Sequence, residues 1–284
     1  MGLLAAVELG GTSCQVATGR ARAGKPGAVA ERFEIPTGDP QPTLAALAEW
    51  LDARGPFAAL GIASFGPLRL DPAARDYGRL LAESKPGWRD ADVLAPFRSL
   101  AQRLALETDV GAAALGEQLA RTGRGTLAYV TVGTGIGGGL AIDGRVHHGQ
   151  LHPEMGHLRV PHDGSFAGIC AAHGDCWEGL ASGPALAARS GTLPEALPHD
   201  DPAWATEAEL LAHGLLAITA VAMPDTIVLG GGVMQRVGLR EAVAQRLTEL
   251  DGGFAPLPEV VAPALGKDSA LAGTLALAGR VLEA

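Results

Sequence analysis

Two segments of this chain read alike. Residues 6–17 are AVELGGTSCQVA and residues 129–142 are YVTVGTGIGGGLAI. Each is an apolar run, a Gly/Thr turn and a second apolar run. Short apolar runs bounded by glycine turns are strands, so each segment predicts a hairpin. Its turn presents backbone N–H groups and a threonine hydroxyl, and its glycines permit positive φ and close backbone approach, which suits a phosphate. The same pattern twice in one chain constrains the fold more than any other feature. It predicts a duplicated α/β architecture of two lobes, with a nucleotide held in the cleft between them. GTGIGG also has G-x-G-x-x-G spacing, but no long helix follows it, so it is not a dinucleotide-binding turn.

Between and after the hairpins, strands and helices alternate. Strands are predicted at 3–9, 13–18, 30–35, 58–63, 104–108, 126–132, 140–143, 225–229 and 259–262. Helical spacing of apolar residues marks 43–53, 90–103, 110–121, 184–189, 206–223, 239–250 and 267–282. This order is that of α/β packing, where ligands gather at the carboxyl ends of strands. Ser64-Phe65-Gly66-Pro67 is a loop leaving one such strand, and Asp109 stands where a strand ends and a helix starts. Asp is favoured at that place as an N-cap, and a carboxylate there is also placed to serve a site. Lys85-Pro86-Gly87-Trp88 reads as a surface turn that could serve the cleft. Gly230-Gly231-Gly232 ends a buried strand and would let a flat base or ribose lie on the backbone. No linker is long enough to separate independent domains. The expected division is a small lobe over 1–108, completed by a closing helix in 267–284, and a larger lobe over 109–266.

The stretch 148–183 holds five of the eight histidines and two of the three cysteines. Cys170, His173 and Cys176 form a Cys-x2-His-x2-Cys run, and a histidine upstream would complete a tetrahedral zinc site. His157, His152 and His162 are all within reach on spacing alone. Cys14 sits on a strand and reads as core; His148, Asp175 and Trp177 read as loop or packing residues.

Composition narrows the class. A net charge of −9 with no run of Lys or Arg argues against binding nucleic acid through its phosphates. Three cysteines do not build a disulfide framework. No apolar segment approaches the ~20 residues that span a bilayer, and MGLLAAVELGG lacks the basic start of a signal peptide. A soluble, cytoplasmic protein is expected.

Seven short motifs, in one order along the chain, resemble those of the ROK family of sugar kinases, and in particular its bacterial zinc-containing fructokinases. They are AVELGGT, GIASFGP, ETDVGAAALGE, VTVGTGIGGG, HPEMGH, the Cys170–Cys176 run leading into WEGLASGPA, and VLGGGVM. The resemblance implies the actin-like ATPase (ribonuclease H-like) fold and ATP-dependent phosphorylation of a hexose, with fructose 6-phosphate as product; mannose, glucose or an N-acetylhexosamine are the alternative acceptors. By position, Gly10, Gly11 and Thr12 match the first phosphate loop, Gly133, Thr134 and Gly135 the second, and Gly231 and Gly232 the adenosine turn. Asp109 matches the general base. Gly66, Asp109, Glu154, His157 and Glu178 match sugar-contacting positions, and His157, Cys170, His173 and Cys176 the zinc ligands. The HPEMGH match is what favours His157 over the other two histidines. Magnesium would arrive with the nucleotide, with Glu8 a partner through water or a mere strand-end charge. A homodimer is expected on the same ground. Some ROK members are sugar-responsive repressors with an N-terminal helix-turn-helix; a first strand beginning near Leu3 leaves no room for one.

The chain also departs from the pattern it resembles. Asn-Asp-x-Asn around the base is here Thr108-Asp109-Val110-Gly111, and Ser13 stands where Lys is common. Gly111 offers no side-chain hydrogen bond, a loss worth ~0.5–1.5 kcal/mol in a polar site, which bears on which hexose is accepted.

Overall fold

A computed structural model describes residues 2–83 and 85–283. The chain forms two compact units. The first comprises the chain up to Arg124, residues 139–153 and the chain from Ala264 onward; the second comprises residues 125–138 and 154–263.

The first unit is built on a five-stranded sheet of order β3-β2-β1-β4-β5, from β1 (Leu4–Leu9), β2 (Ser13–Arg20), β3 (Ala28–Pro36), β4 (Ala59–Ser64) and β5 (Leu104–Thr108). β1 is central because it is apolar on both faces. Leu4 and Ala6 pack with Leu271, Leu275 and Ala278 of α7 (Ser269–Arg280). Ala5, Val7 and Leu9 pack on the other face with Leu44, Leu47 and Leu51 of α1 (Pro40–Asp52). β3 carries Glu31 and Glu34 in exposed positions, as suits an edge strand that must not recruit another. β1, β4 and β5 run parallel, with Leu9 beside Ser64 and Ser64 beside Thr108. Their carboxyl ends therefore lie in one row.

α2 (Asp109–Ala120) leaves β5 and crosses α7 at small residues. A Cβ on Gly273 would stand 1.8 Å from the Ala112 carbonyl oxygen, and one on Gly116 2.4 Å from that of Ser269; a larger residue at either place would force the helices apart. Beside this crossing lies Glu117, fully buried. Its carboxylate accepts the N–H groups of Ala264 (2.8 Å) and Leu265 (2.9 Å) and the Ser269 hydroxyl (2.6 Å), and pairs with Arg121. Glu117→Ala would leave those donors unpaired, and breaking a buried charge pair from one side costs about 3–5 kcal/mol. A chemical denaturation midpoint within error of the parent's would refute that expectation.

The range 90–103 is not a helix. It holds one 3₁₀ turn, Ala95–Phe97. Pro96 lacks the N–H a helix interior needs, Asp90 has φ of +60°, and Asp92 Oδ1 instead accepts the amides of Leu94 and Ala95. The apolar residues that suggested a helix, Val93, Leu94 and Phe97, are buried in the core as an irregular segment. Trp88 is likewise no surface residue: it is fully buried, edge-on to Phe65 at 5.2 Å, and its Nε1–H donates to the Gly38 carbonyl.

The second sheet has the order β10-β9-β6-β7-β8, from β6 (Thr126–Val132), β7 (Ile136–Ile142), β8 (Arg145–Val146), β9 (Thr226–Gly230) and β10 (Glu259–Val261). β6, β9 and β10 are parallel. The second unit also contains α3 (Trp177–Ala181), α4 (Gly183–Ser190), α5 (Ala203–Ala222) and α6 (Leu239–Asp251). α5, contrary to the sequence reading, is long and apolar enough to cross a membrane by length and composition. Half of it is buried, Glu207 and Glu209 lie on it, and Trp177 lies against Gly214, where a Cβ would stand 2.1 Å from the indole. It is a core helix.

Candidate functional site

The first-unit residues singled out by sequence share the carboxyl edge of β1, β4 and β5. Gly10-Gly11-Thr12 is the turn from β1 to β2. Thr37 ties it down: its hydroxyl donates to the Gly10 carbonyl (2.7 Å) and its amide to that of Thr12 (3.0 Å). Gly66 follows β4 by two residues and Asp109 follows β5 directly. In a parallel sheet this edge is where loops diverge and ligands bind. Lys85, read from the sequence as part of a surface turn that could serve the cleft, reaches the same edge; its Cε would be 3.7 Å from a Cβ on Gly11. It brings a cation to the Gly10–Thr12 turn although position 13 is Ser.

Asp109 is the first residue of α2 and not its cap. Thr108 caps the helix, its hydroxyl accepting the Gly111 amide at 3.0 Å. Asp109 Oδ1 accepts from the Val110 amide at 2.9 Å. Burial, opposed by backbone hydrogen bonds and helped by the Glu107 charge, pushes its pKa from 3.8 to about 6. It is ionised at neutral pH and still basic enough to take a proton, the balance a general base requires. Glu8 is raised further, to about 8, by burial first and then by the Asp109 charge, against a hydrogen bond from Gln15 Nε2 (2.8 Å).

In the second unit, Gly133-Thr134-Gly135 is the turn between β6 and β7. Gly133 N donates to the Gly135 carbonyl (2.9 Å), and the Gly133 carbonyl accepts the amide of Gly183, at the start of α4 (2.8 Å). Glu178 braces this turn by accepting the Ile136 amide at 3.0 Å. Gly231 and Gly232 lie alongside: a Cβ on Gly133 would be 3.9 Å from the Gly232 nitrogen. Gly231 has φ of +98°, and a Cβ there would be 2.3 Å from the Val132 carbonyl oxygen. Backbone conformation and space both demand glycine. Two glycine turns with exposed backbone are thus held side by side.

His157, Cys170, His173 and Cys176 converge in the same unit, their donor atoms all within 4.8 Å of one another. His157 Nδ1 is 3.5 Å from Cys176 Sγ and 3.8 Å from Cys170 Sγ, and Cys170 Sγ is 3.8 Å from His173 Nδ1. A tetrahedron with Zn–S of about 2.3 Å and Zn–N of about 2.0–2.1 Å has S···N edges of roughly 3.5 Å. The donors fit that ion in kind, number and spacing. Cys170 and Gly174 exchange backbone hydrogen bonds (3.1 and 2.8 Å), which makes the turn that aims two of them. Glu154 and His157 bracket a 3₁₀ turn, with His157 N donating to the Glu154 carbonyl (3.1 Å). Gly156 within it would place a Cβ 1.8 Å from the Ile136 carbonyl oxygen, so this turn packs directly on the start of β7.

The rival histidines are engaged elsewhere. His152 is buried in the first unit, with Nε2 accepting the Leu68 amide at 2.9 Å. His162 Nδ1 accepts from the Gly164 amide (3.2 Å) and its Nε2 faces Asp175 at 3.4 Å. Sequence reasoning missed Glu107, a buried carboxylate two residues before Asp109 that is bound by His148 Nε2 at 3.0 Å. An acidic residue in an otherwise apolar strand was the available signal.

The profile of the ROK family matches residues 4–281. A fructokinase of Pediococcus pentosaceus is 36% identical, covering 99% of both chains. A fructokinase of Zymomonas mobilis is 39% identical, covering 86% of this chain and 87% of its own. Among solved structures, a ROK hexokinase of Thermus thermophilus superposes with a TM-score of 0.79 at 26% identity, over 99% of each chain.

Proposed function

The chain belongs to the ROK family, with its actin-like ATPase fold, and on that premise we propose that it is an ATP-dependent sugar kinase that phosphorylates D-fructose on its 6-hydroxyl. The observation that carries the reading is the common edge of β1, β4 and β5, where a glycine phosphate turn, Gly66 and a half-buried basic carboxylate stand in one row. Fructokinases similar over nearly the whole chain support the choice of acceptor.

In this reading Asp109 accepts the hydroxyl proton as the oxygen attacks the γ-phosphorus; the bond from that phosphorus to the β-phosphate oxygen breaks and ADP leaves. A sugar hydroxyl is a poor nucleophile until its proton has somewhere to go. The phosphoryl group needs positioning and charge neutralisation more than covalent help. The amides of Gly10–Thr12 and Gly133–Gly135 and the hydroxyls of Thr12 and Thr134 would hold the phosphates, and Gly231 and Gly232 the adenosine. Magnesium carried by the nucleotide would neutralise phosphate charge. Gly66, Glu154, His157 and Glu178 would contact the sugar. His157, Cys170, His173 and Cys176 would hold a zinc ion; four protein donors leave no open position, so its role is structural. The enzyme is proposed to work in the cytoplasm as a homodimer.

Gly111 favours a second reading, in which mannose, glucose or an N-acetylhexosamine is taken instead, because one side-chain contact of the resembled pattern is missing. ADP release from magnesium–ATP over fructose, mannose, glucose, N-acetylglucosamine and N-acetylmannosamine separates the two. The largest kcat/KM is expected with fructose. A higher value for another sugar would replace the acceptor, and a flat panel from folded protein would reject the kinase reading.

A further inference from the structure

Gly66 lies in a loop, and Asp109 begins a helix. Both are held from one segment, the stretch that follows β8. His148 Nε2 meets Glu107 Oε1 at 3.0 Å, two residues before Asp109. His152 Nε2 accepts the amide of Leu68 at 2.9 Å, two residues after Gly66. All of these residues belong to the first unit.

Glu107 is buried, and its Oε1 also accepts the Thr108 amide at 2.8 Å and faces the Thr108 hydroxyl at 3.3 Å. That oxygen takes up the space in the first turn of α2 that a side chain at 111 would need. A Cβ on Gly111 would stand 2.6 Å from Glu107 Oε1 and 2.7 Å from Thr108 Oγ1. Gly111 and the seated Glu107 are therefore one feature. A buried carboxylate there needs a donor from outside the helix, and His148 supplies it.

The two imidazoles do different work. His152 can accept from an amide only with Nε2 unprotonated, and burial holds its pKa below the usual histidine value. His148 donates to a carboxylate, and this hydrogen bond to Glu107 raises its pKa against the effect of burial.

We propose that His148 and His152 are positioning residues for the acceptor: they strap the Gly66 loop and the β5–α2 junction to one segment, with Glu107 seated over Gly111, and so set the sugar hydroxyl against Asp109. This rests on the reading of Asp109 as the base and Gly66 as an acceptor contact. In this reading both histidines act through what they hold. A misplacement near 1 Å can cost 10²-fold in rate, so loss of the strap is expected to be felt in turnover without removing it.

The test is steady-state kinetics on the full chain with fructose and ATP varied separately, together with thermal midpoints and fructose affinity by calorimetry. His148→Ala is expected to lower kcat/KM for the sugar roughly 10–100-fold while the KM for ATP stays put. His148→Gln, whose amide N–H can reach the same carboxylate oxygen, should recover most of the loss. Gly111→Ala should reproduce the loss by evicting Glu107, and His152→Leu should be worse than His152→Gln, which keeps an acceptor. Where His148→Ala does not fold, His148→Gln against Gly111→Ala makes the same comparison. Parental kinetics in His148→Ala and Gly111→Ala would overturn the strap, as would a deficit that Gln does not repair or that falls equally on ATP. Asp109→Asn run alongside keeps the two ideas apart. Turnover retained there removes the base assignment, whereas a dead Asp109→Asn beside parental His148→Ala removes the strap alone.

Discussion

Asp109→Asn is expected to lower kcat by about 10²–10⁴-fold, the usual contribution of a positioned general base, while fructose binding remains measurable by calorimetry. The asparagine keeps the shape and can accept a weak hydrogen bond, but it cannot take a proton. A second consequence separates chemistry from folding. Burial raises the Asp109 pKa from 3.8 to about 6, so the folded protein holds this proton more tightly than the unfolded chain. Stability from this group is then greatest below pH 3.8 and is lost as pH rises to about 6. Above that, the ionised carboxylate works against the fold. Asn never ionises, so the thermal midpoint of the variant at neutral pH should equal or exceed the parent's, a trade of stability against activity common at active sites. In the parent, kcat/KM should fall about tenfold per pH unit below about pH 6 as Asp109 protonates. Turnover at the parental rate would reject the role. Lost turnover with a lowered midpoint would trace the defect to misfolding.

Cys170→Ser is expected to abolish stoichiometric zinc and to lower stability by roughly 3–5 kcal/mol, the upper range for one substitution, where loss of a metal belongs. A hydroxyl at that place is a poor zinc ligand, and three remaining donors do not close a tetrahedron. The loop from Glu154 to Glu178 has little regular structure: a 3₁₀ turn and the beginning of a five-residue helix. Its order would then depend on the ion, because metal binding free energy becomes folding free energy where no other core exists. His162→Ala and His152→Ala should keep the metal, since those rings are engaged with Gly164 and Asp175 and with Leu68. Elemental analysis with thermal melts before and after a chelator reads all of this. Full zinc content in Cys170→Ser would mean a wrong ligand set, and a parent indifferent to chelation would remove the structural role.

Much of the site could be read from local pattern. The two hairpins stand where the apolar runs placed them, because a turn's needs are met by adjacent residues, but β7 starts at Ile136 and not at 140, so Gly137–Gly139 belong to the strand and only Gly133–Gly135 to the turn. The Cys-x2-His-x2-Cys run closes on itself for the same reason. The range 90–103 misled because its apolar spacing mimics a helix while Pro96 and the Asx turn at Asp92 prevent one. Trp88 misled because it neighbours Pro86 and Gly87, whose turn chemistry says nothing of where the indole goes.

By itself, then, the sequence determined most of the elements, the two Gly/Thr turns, the Cys-x2-His-x2-Cys run and a carboxylate at a strand-to-helix junction, all features governed by contacts within a few residues. Tertiary structure alone decided that β1, β4 and β5 end in one row, that Lys85 comes beside the Gly10–Thr12 turn, and that Glu107 occupies the space of a side chain at 111; it also brings to the two cysteines the His157 that the HPEMGH match favoured. His148 and Glu107 are 41 positions apart and Leu68 and His152 are 84. No spacing rule reaches that far. Such pairs are set by strand register and by which buried polar group finds a partner, and both exist only once the chain has packed.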